Sequence, residues 1–134
     1  MIYFTYGANL CHAHMALWCP KSEPLAAAEL PDHRLVFRYW ADIVPSAGDR
    51  VLGALYRVAD ADRASLEEFE DCPGLYGRIG VQVMTRQGAV DAVAYRMHEA
   101  RPFAPPSPEY LALMEQGYED WRLDPALIPV KVAV

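Results

Sequence analysis

The residues best suited to acid–base chemistry lie in the acidic run 66–71, Leu-Glu-Glu-Phe-Glu-Asp. Carboxylates on a helix are ordinarily a solvated face. At about 100° per residue, Leu66 and Phe69 define the buried side of a helix, and Glu70 lies roughly 70° from the centre of that side. The other three acids lie about 130° or more away. We therefore predict that Glu70 leans toward the core.

The position of Glu70 predicts a raised pKa. It falls in the last turn of the predicted helix, where the helix dipole is negative and other carboxylates are close neighbours. Desolvation, the dipole and like charge all disfavour the ionised carboxyl. A carboxyl poised near neutrality can take a proton from an amine and return it later, as a general acid/base does.

A second candidate is the run 6–10, Tyr-Gly-Ala-Asn-Leu, which joins a predicted strand to a predicted helix. Successive main-chain N–H groups in such a loop can converge at the positive end of the helix, where they would hold a carboxylate. The other interpretation is an ordinary strand-to-helix turn with an Asn cap. Spacing alone leaves both open.

A metal site receives less support. The segment 11–14 (Cys-His-Ala-His) and Cys19 offer thiolates and imidazoles, which zinc accepts. On a helix, however, His12 and His14 point to nearly opposite sides. We interpret them as surface histidines beside small core cysteines, and we expect no metal. Nothing in the sequence brings Cys72 to a histidine as a nucleophile pair.

Composition narrows the function further. The 134 residues, 53% of them hydrophobic, suit one domain spanning 1–134. The balance of 12 Lys and Arg against 18 Asp and Glu, with no basic cluster, argues against nucleic-acid binding. We see neither a secretory signal nor an apolar run of about 18 residues. Three cysteines suit reduced thiols, so we expect a cytoplasmic protein.

The elements that must position these residues are mostly strands. Alternating or β-branched runs predict strands over 2–6, 26–30, 34–40 and 51–58. We expect a turn at Pro31-Asp32 between the second and third, and a loop over 43–49 because of its Pro, Ser, Gly and Asp content. A short helix over 10–18 is predicted from the helical spacing of four apolar residues, Leu10, Ala13, Leu17 and Trp18.

The second half of the chain adds two helices and a hairpin. Asp60 or Asp62 can cap the acidic helix, which should end near Asp71 because Pro and Gly follow. Strands over 78–86 and 89–97 should pair across Gln87-Gly88. Ser107 should cap the last helix. Its predicted core face is Tyr110, Met114, Tyr118 and Trp121. Strands without regular βαβ alternation indicate the α+β class.

Taken together, these segments resemble the gamma-glutamylcyclotransferase family (AIG2-like or BtrG-like). The run 6–10 resembles its Tyr-Gly-Ser-Asn loop, and 44–53 resembles the loop and strand that follow. The run 66–70 resembles the family's Leu-Asp-x-x-Glu, whose glutamate is the catalytic acid/base. Residues 74–76 keep the family's spacing after it, and 105–110 is similar to the Pro-Ser-x-x-Tyr helix start.

The resemblance implies a small mixed β-barrel with flanking helices and a catalytic Glu70. It also implies eight substrate-binding residues, five through the loop main chain and three as pocket tyrosines: Tyr6, Gly7, Ala8, Asn9, Leu10, Tyr76, Tyr95 and Tyr110. In the implied reaction the substrate's α-amine attacks its own γ-carbonyl, closes 5-oxoproline and expels an amine or amino acid. Such a lyase-type cyclisation, as in glutathione metabolism, needs no cofactor. Loop N–H groups could hold the α-carboxylate or the developing oxyanion.

Three positions differ from the family pattern: Ala8 stands for Ser, Glu67 for Asp, and Asp71 for Gly. Where that Gly supplies a positive φ, Asp adopts it only at some cost, which bears on the orientation of Glu70. The other function that we weigh is a non-catalytic domain of the same fold that binds a small metabolite or a protein partner.

The leaving group and the oligomeric state stay open at this level. Four arginines are candidates for holding a second carboxylate of the substrate: Arg34, Arg38, Arg50 and Arg78. Each can also be interpreted as a solvated charge at a strand end.

Overall fold

Five strands that close into a barrel form the framework of the molecule. The computed structural model describes residues 1–99 and 101–129. The strands are β1 (Ile2–Thr5), β2 (Glu23–Arg38), β3 (Trp40–Arg57), β4 (Tyr76–Thr85) and β5 (Gly88–Met97). Their order is β1-β3-β2-β4-β5, and neighbours are antiparallel except β5 and β1, which are parallel. The α+β class and the mixed barrel are confirmed.

Three helices flank the barrel: α1 (His12–Trp18), α2 (Arg63–Phe69) and α3 (Pro108–Asp120). Ser107 caps α3 as predicted, since its Oγ accepts a hydrogen bond from Tyr110 N at 3.1 Å. Asp62 stands at the N-cap of α2, but its carboxylate accepts hydrogen bonds from Lys21 N and Ser22 Oγ, each at 2.8 Å. It thereby ties the chain after α1 to the start of α2. Within the described ranges, none of the helices has the length and hydrophobicity to cross a bilayer.

The predicted strands 26–30 and 34–40 are confirmed over 26–30 and 34–38, but both belong to one continuous strand, β2, and Trp40 already begins β3. The expected turn and the expected loop are wrong, and the residues 43–49 of that loop belong to β3. The expected turn is a bulge in which Asp32 has a φ of 59°, and its Oδ1 accepts a hydrogen bond from Gly48 N at 3.0 Å. The turn-forming residues therefore bend a long hairpin instead of ending its strands.

The four apolar residues whose spacing predicted the first helix do not all lie on its buried side. The segment divides into a 3-10 turn (Ala8–Leu10) and α1. Leu17 is 82% exposed, whereas Met15, which was not placed on the core face, is buried. A helix this short has few positions, so the break after Leu10 rotates the buried side away from the simple periodic pattern.

The predicted C-terminal hairpin is confirmed, one residue earlier than expected. Thr85 pairs with Gly88, so Arg86 and Gln87 make the turn. Gly88 has a φ of 110°, a conformation that side-chain-bearing residues rarely adopt.

Strand β1 decides where the site lies. Phe4 belongs to the buried cluster inside the barrel, and Tyr3 belongs to a second cluster that includes Met15 of α1 and Leu66 of α2. Because neighbouring strand residues point to opposite faces, β1 directs Tyr3 toward the end of α2. Glu70 follows α2 directly.

Candidate active site

Glu70 lies beside β1, immediately after the last residue of α2. Its Oε2 accepts a hydrogen bond from the Tyr3 hydroxyl at 3.1 Å. Burial raises the pKa of the Glu70 carboxyl to about 7, and the hydrogen bond from Tyr3 lowers it only in part. The raised pKa agrees with the sequence prediction. Its cause is burial, whereas the neighbouring carboxylates that we also invoked do not contribute.

Glu67 departs from the helical-wheel prediction, which placed it on the solvated side. Its Oε2 accepts a hydrogen bond from the Tyr95 hydroxyl at 2.9 Å and lies 3.3 Å from Arg78 Nε. Two half-buried carboxylates therefore stand near the end of α2. Glu67 has a cationic partner, and Glu70 has a phenol.

A chain of hydrogen bonds links Glu70 to His14. Asn9 Nδ2 donates to the Tyr3 hydroxyl oxygen at 3.2 Å, and Asn9 Oδ1 lies 2.9 Å from His14 Nδ1. Because the amide oxygen can only accept, Nδ1 of His14 carries the proton. Each donor in the chain points toward Glu70, an arrangement that favours its carboxylate form.

His14 is therefore not the surface residue that the sequence suggested. It is half-buried and packs edge-on against Phe69, with ring centroids 5.0 Å apart. Burial lowers the pKa of its imidazole, so the ring is neutral at pH 7. His12, by contrast, is exposed as predicted.

The loop between β1 and α1 presents main-chain donors. Leu10 N and Cys11 N donate to the carbonyls of Gly7 and Ala8 at 3.1 and 3.2 Å. In the described part of the chain, the N–H groups of Gly7 and Asn9 make no hydrogen bond. They are free to bind a ligand oxygen, in keeping with the proposed cradle.

Two tyrosines, Tyr76 and Tyr110, also line the site and meet at Ala41. The Tyr76 hydroxyl donates to Ala41 O at 2.6 Å, and Ala41 N donates to the Tyr110 hydroxyl oxygen at 3.3 Å. The Tyr110 hydroxyl also stands over Gly7, where a Cβ would come within 2.5 Å of it. Burial raises the pKa of both tyrosines well above 10, so Tyr110 keeps a proton that it can donate to a ligand.

Two adjoining cavities meet at Glu70. The inner one has a volume of about 20 Å³, room for about one water-sized group. The outer one is a cleft of about 270 Å³. Both are lined by Ala8, Phe69, Glu70, Tyr76 and Tyr110. The inner cavity adds Tyr3, Thr5, Tyr6, Gly7, Asn9 and Ala41. The outer cleft adds His14, Trp40, Asp71, Leu75 and Leu113.

Two of the predicted substrate-binding residues line neither cavity. Tyr95 stands behind Tyr3, its ring edge-on at 5.8 Å, and its carbonyl accepts a hydrogen bond from the Tyr6 hydroxyl. Leu10 is fully buried, and its carbonyl accepts a hydrogen bond from Trp121 Nε1 at 3.0 Å. Both residues support the site from outside it.

None of the four candidate arginines lines either cavity. Arg38 is buried, and its Nε lies 2.9 Å from Asp42 Oδ2, so its interpretation as a solvated charge is wrong. Arg50 and Arg78 pair with glutamates at the surface, and Arg34 is exposed.

Among residues 1–99 and 101–129, no three His, Cys, Asp or Glu side chains are placed to share a metal ion. Cys11 and Cys19 are buried free thiols, and Cys72 is a half-buried one.

Sequence reasoning missed Tyr3, His14 and Ala41. The alternation within β1 was a usable signal for Tyr3, because it shares a strand face with Thr5 and that face leads into the loop. His14 and Ala41 carry no such signal, since each reaches the site through tertiary packing.

Comparison with known proteins gives a consistent result. A family model described as gamma-glutamyl cyclotransferase, AIG2-like, matches residues 3–123. Mouse gamma-glutamylcyclotransferase is 32% identical over 133 residues, covering 89% of this chain and 70% of that protein, and its human counterpart is 31% identical with the same coverage. A solved structure named gamma-glutamyl cyclotransferase, 28% identical, superposes with a TM-score of 0.86 over 97% of this chain and 85% of that one.

Proposed function

This chain belongs to the gamma-glutamyl cyclotransferase, AIG2-like family, and on that premise we propose that it releases 5-oxoproline from a gamma-glutamyl compound with Glu70 as acid/base. One observation carries the assignment of Glu70. Its carboxyl, with a pKa raised to about 7 by burial, stands where the inner cavity meets the outer cleft. A group with this pKa accepts and returns protons readily near neutral pH.

The reaction needs one proton acceptor that later becomes a donor. The carboxylate of Glu70 takes a proton from the substrate's α-ammonium, and the free amine attacks the γ-carbonyl carbon. The new C–N bond closes the five-membered ring, and the ring nitrogen, which still carries two protons, releases one of them to solvent. Glu70 then returns the proton to the leaving nitrogen as the original C–N amide bond breaks, so the products are 5-oxoproline and a free amine. Because nucleophile and electrophile belong to one molecule, positioning supplies much of the rate.

The inner cavity supports this positioning. It offers N–H groups from Gly7 and Asn9 and a hydroxyl from Tyr110 around a space for one small group. These donors would bind an oxygen of the α-carboxylate or of the tetrahedral intermediate, and both tasks suit them. We place the reacting amide at the junction of the cavities, within reach of Glu70, with the leaving group in the outer cleft.

The first test is product release from a panel of gamma-glutamyl amino acids, glutathione and gamma-glutamylamines, with 5-oxoproline measured by mass spectrometry. The wild type should release it, and Glu70→Gln should lose at least about a hundredfold in rate, the usual effect of removing a general acid/base. Glu68→Gln, an exposed neighbour on α2, is the matched control and should keep full activity. Equal release by wild type and Glu70→Gln would show the assignment of Glu70 to be wrong.

The binding-domain alternative has its own signature. If no compound releases 5-oxoproline while a gamma-glutamyl ligand still raises the melting temperature, the domain binds without catalysis. The other expectations stay predictions: cyclisation without a cofactor, a role in glutathione metabolism, and a cytoplasmic location suggested by free thiols.

A further inference from the structure

Asp71 places a carboxylate on the outer cleft, next in sequence to Glu70. Its φ is 50°, in the left-handed region, and its carbonyl accepts hydrogen bonds from Leu75 N and Tyr76 N at 2.8 and 3.2 Å. A Gly would end the helix in this conformation without the steric cost that a side chain brings. The sequence therefore keeps a carboxylate where local structure favours its absence.

The carboxylate of Asp71 lies beside Gly74. A Cβ on residue 74 would come within 2.7 Å of Asp71 Oδ1, so glycine at this position leaves room for the Asp71 carboxylate. In the described ranges the carboxylate of Asp71 forms no hydrogen bond or ion pair. Its negative charge is thus available to whatever occupies the cleft.

Among the residues that the structure describes, the remaining lining of the cleft supplies no opposing charge. Its ionisable groups besides Asp71 are Glu70, the neutral imidazole of His14 and two protonated phenols. The other side chains are apolar or aromatic: Ala8, Trp40, Phe69, Leu75 and Leu113.

We propose that Asp71 makes this cleft select gamma-glutamyl compounds whose leaving group is an amine without a carboxylate. This inference rests on the proposed function and names its substrate class. A leaving amino acid carries its carboxylate on the carbon bonded to the scissile nitrogen, about 3 Å from that nitrogen. Glu70 must reach the same nitrogen, so this carboxylate would lie close to both acids, and the described lining residues include no cation to compensate it. A leaving amine with a second ammonium would instead be attracted.

Arg101 is the cation to weigh against this proposal. It is exposed and lines neither cavity, yet its positive charge lowers the pKa of Tyr76, so its field reaches the site. An arginine acting from outside the cleft is screened by solvent. Its contribution is tested directly with Arg101→Gln.

The experiment uses two matched substrate pairs. Gamma-glutamyl-alanine and gamma-glutamyl-ethylamide differ only by a carboxylate, and gamma-glutamyl-butylamide and gamma-glutamyl-putrescine differ by a terminal ammonium. In the wild type, kcat/KM should be about fivefold higher for gamma-glutamyl-ethylamide than for gamma-glutamyl-alanine, and about fivefold higher for gamma-glutamyl-putrescine than for gamma-glutamyl-butylamide. A factor of about five is the upper range for an exposed charge pair. Asp71→Asn, which retains the left-handed conformation, should reduce both ratios to within about twofold. Glu68→Gln removes one negative charge outside the cleft and should leave both ratios unchanged.

Binding provides the second measurement. Titrating the four compounds into Glu70→Gln by calorimetry should give affinities in the same order as the wild-type kcat/KM values. Selectivity is thereby tested even without turnover. If no compound yields 5-oxoproline but this order holds, the proposed function fails and the selectivity stands. A wild-type preference for the alanine compound, or unchanged ratios in Asp71→Asn, would overturn the proposal. A preference for alanine that disappears in Arg101→Gln would assign the leaving carboxylate to Arg101.

Discussion

Replacing Glu70 by Gln should make the protein more stable at alkaline pH while it removes the group that we propose as acid/base. Burial raises the pKa of the Glu70 carboxyl from its ordinary value of 4.5 to about 7. Ionisation is therefore more costly in the folded chain than in the unfolded one. Gln has nearly the same shape, carries no charge at any pH, and can still accept the hydrogen bond from the Tyr3 hydroxyl.

The pH dependence follows from where each state releases its proton. Below pH 4.5 the carboxyl is protonated in both states, and it contributes no difference. Between pH 4.5 and 7 the unfolded chain releases the proton and the folded chain keeps it, so wild-type stability falls as pH rises. The gap of about 2.5 pH units corresponds to about 3 kcal/mol at about 1.36 kcal/mol per unit, an upper bound for a side chain that is only half-buried.

We therefore expect Glu70→Gln to gain about 1 to 3 kcal/mol over wild type at pH 8 and almost nothing at pH 4. Urea unfolding followed by tryptophan fluorescence, repeated from pH 4 to 9, measures this difference. In melting temperature, each kcal/mol corresponds to about 4 °C for a chain of this size. Glu68→Gln should show a difference that does not change with pH. A pH-independent difference for Glu70→Gln as well would refute the raised pKa.

Two further predictions concern the pKa of Glu70 and the packing of α3 against the loop that follows β1. Tyr3→Phe removes the hydrogen bond that lowers the pKa of Glu70, so the acid limb of the kcat/KM profile should move to higher pH, by up to about one unit; an unmoved limb would exclude Glu70 as its origin. Gly117→Ala would bring a Cβ within 2.3 Å of Leu10 Cβ and should cost about 1 to 3 kcal/mol in urea unfolding, whereas Gly80→Ala meets nothing within 4 Å and should lose no stability. Equal stabilities for the two alanine variants would contradict this packing argument.

The predictions that succeeded depend on residues close together in sequence. Helical spacing over a few residues placed Glu70 toward the core, although it failed for Glu67, and the Ser107 cap and the β4–β5 hairpin are equally local. Each of these features is decided within one turn or one pair of adjacent strands. Local sequence patterns were therefore sufficient to predict these features.

The predictions that failed depend on pairing across the chain. Asp32 lies in a bulge because β2 and β3 pair along nearly their whole length, which local turn signals do not show. Arg38 is buried because Asp42 compensates its charge, and the sequence does not reveal that their side chains meet. The link from Asn9 to His14 likewise arises only when α1 packs beside the loop.

The end of α2 concentrates two costs to folding in consecutive residues. Glu70 is held where its charge is poorly solvated, and Asp71 is held at a positive φ that costs an ordinary side chain roughly 1 kcal/mol or more. Neutral Gln and flexible Gly would remove these costs without altering the barrel. Strain of this kind persists where function requires it. Because both side chains line the same cleft, the roles that we propose for them, Glu70 at the scissile nitrogen and Asp71 at the leaving group, would give the two costs a common explanation in catalysis.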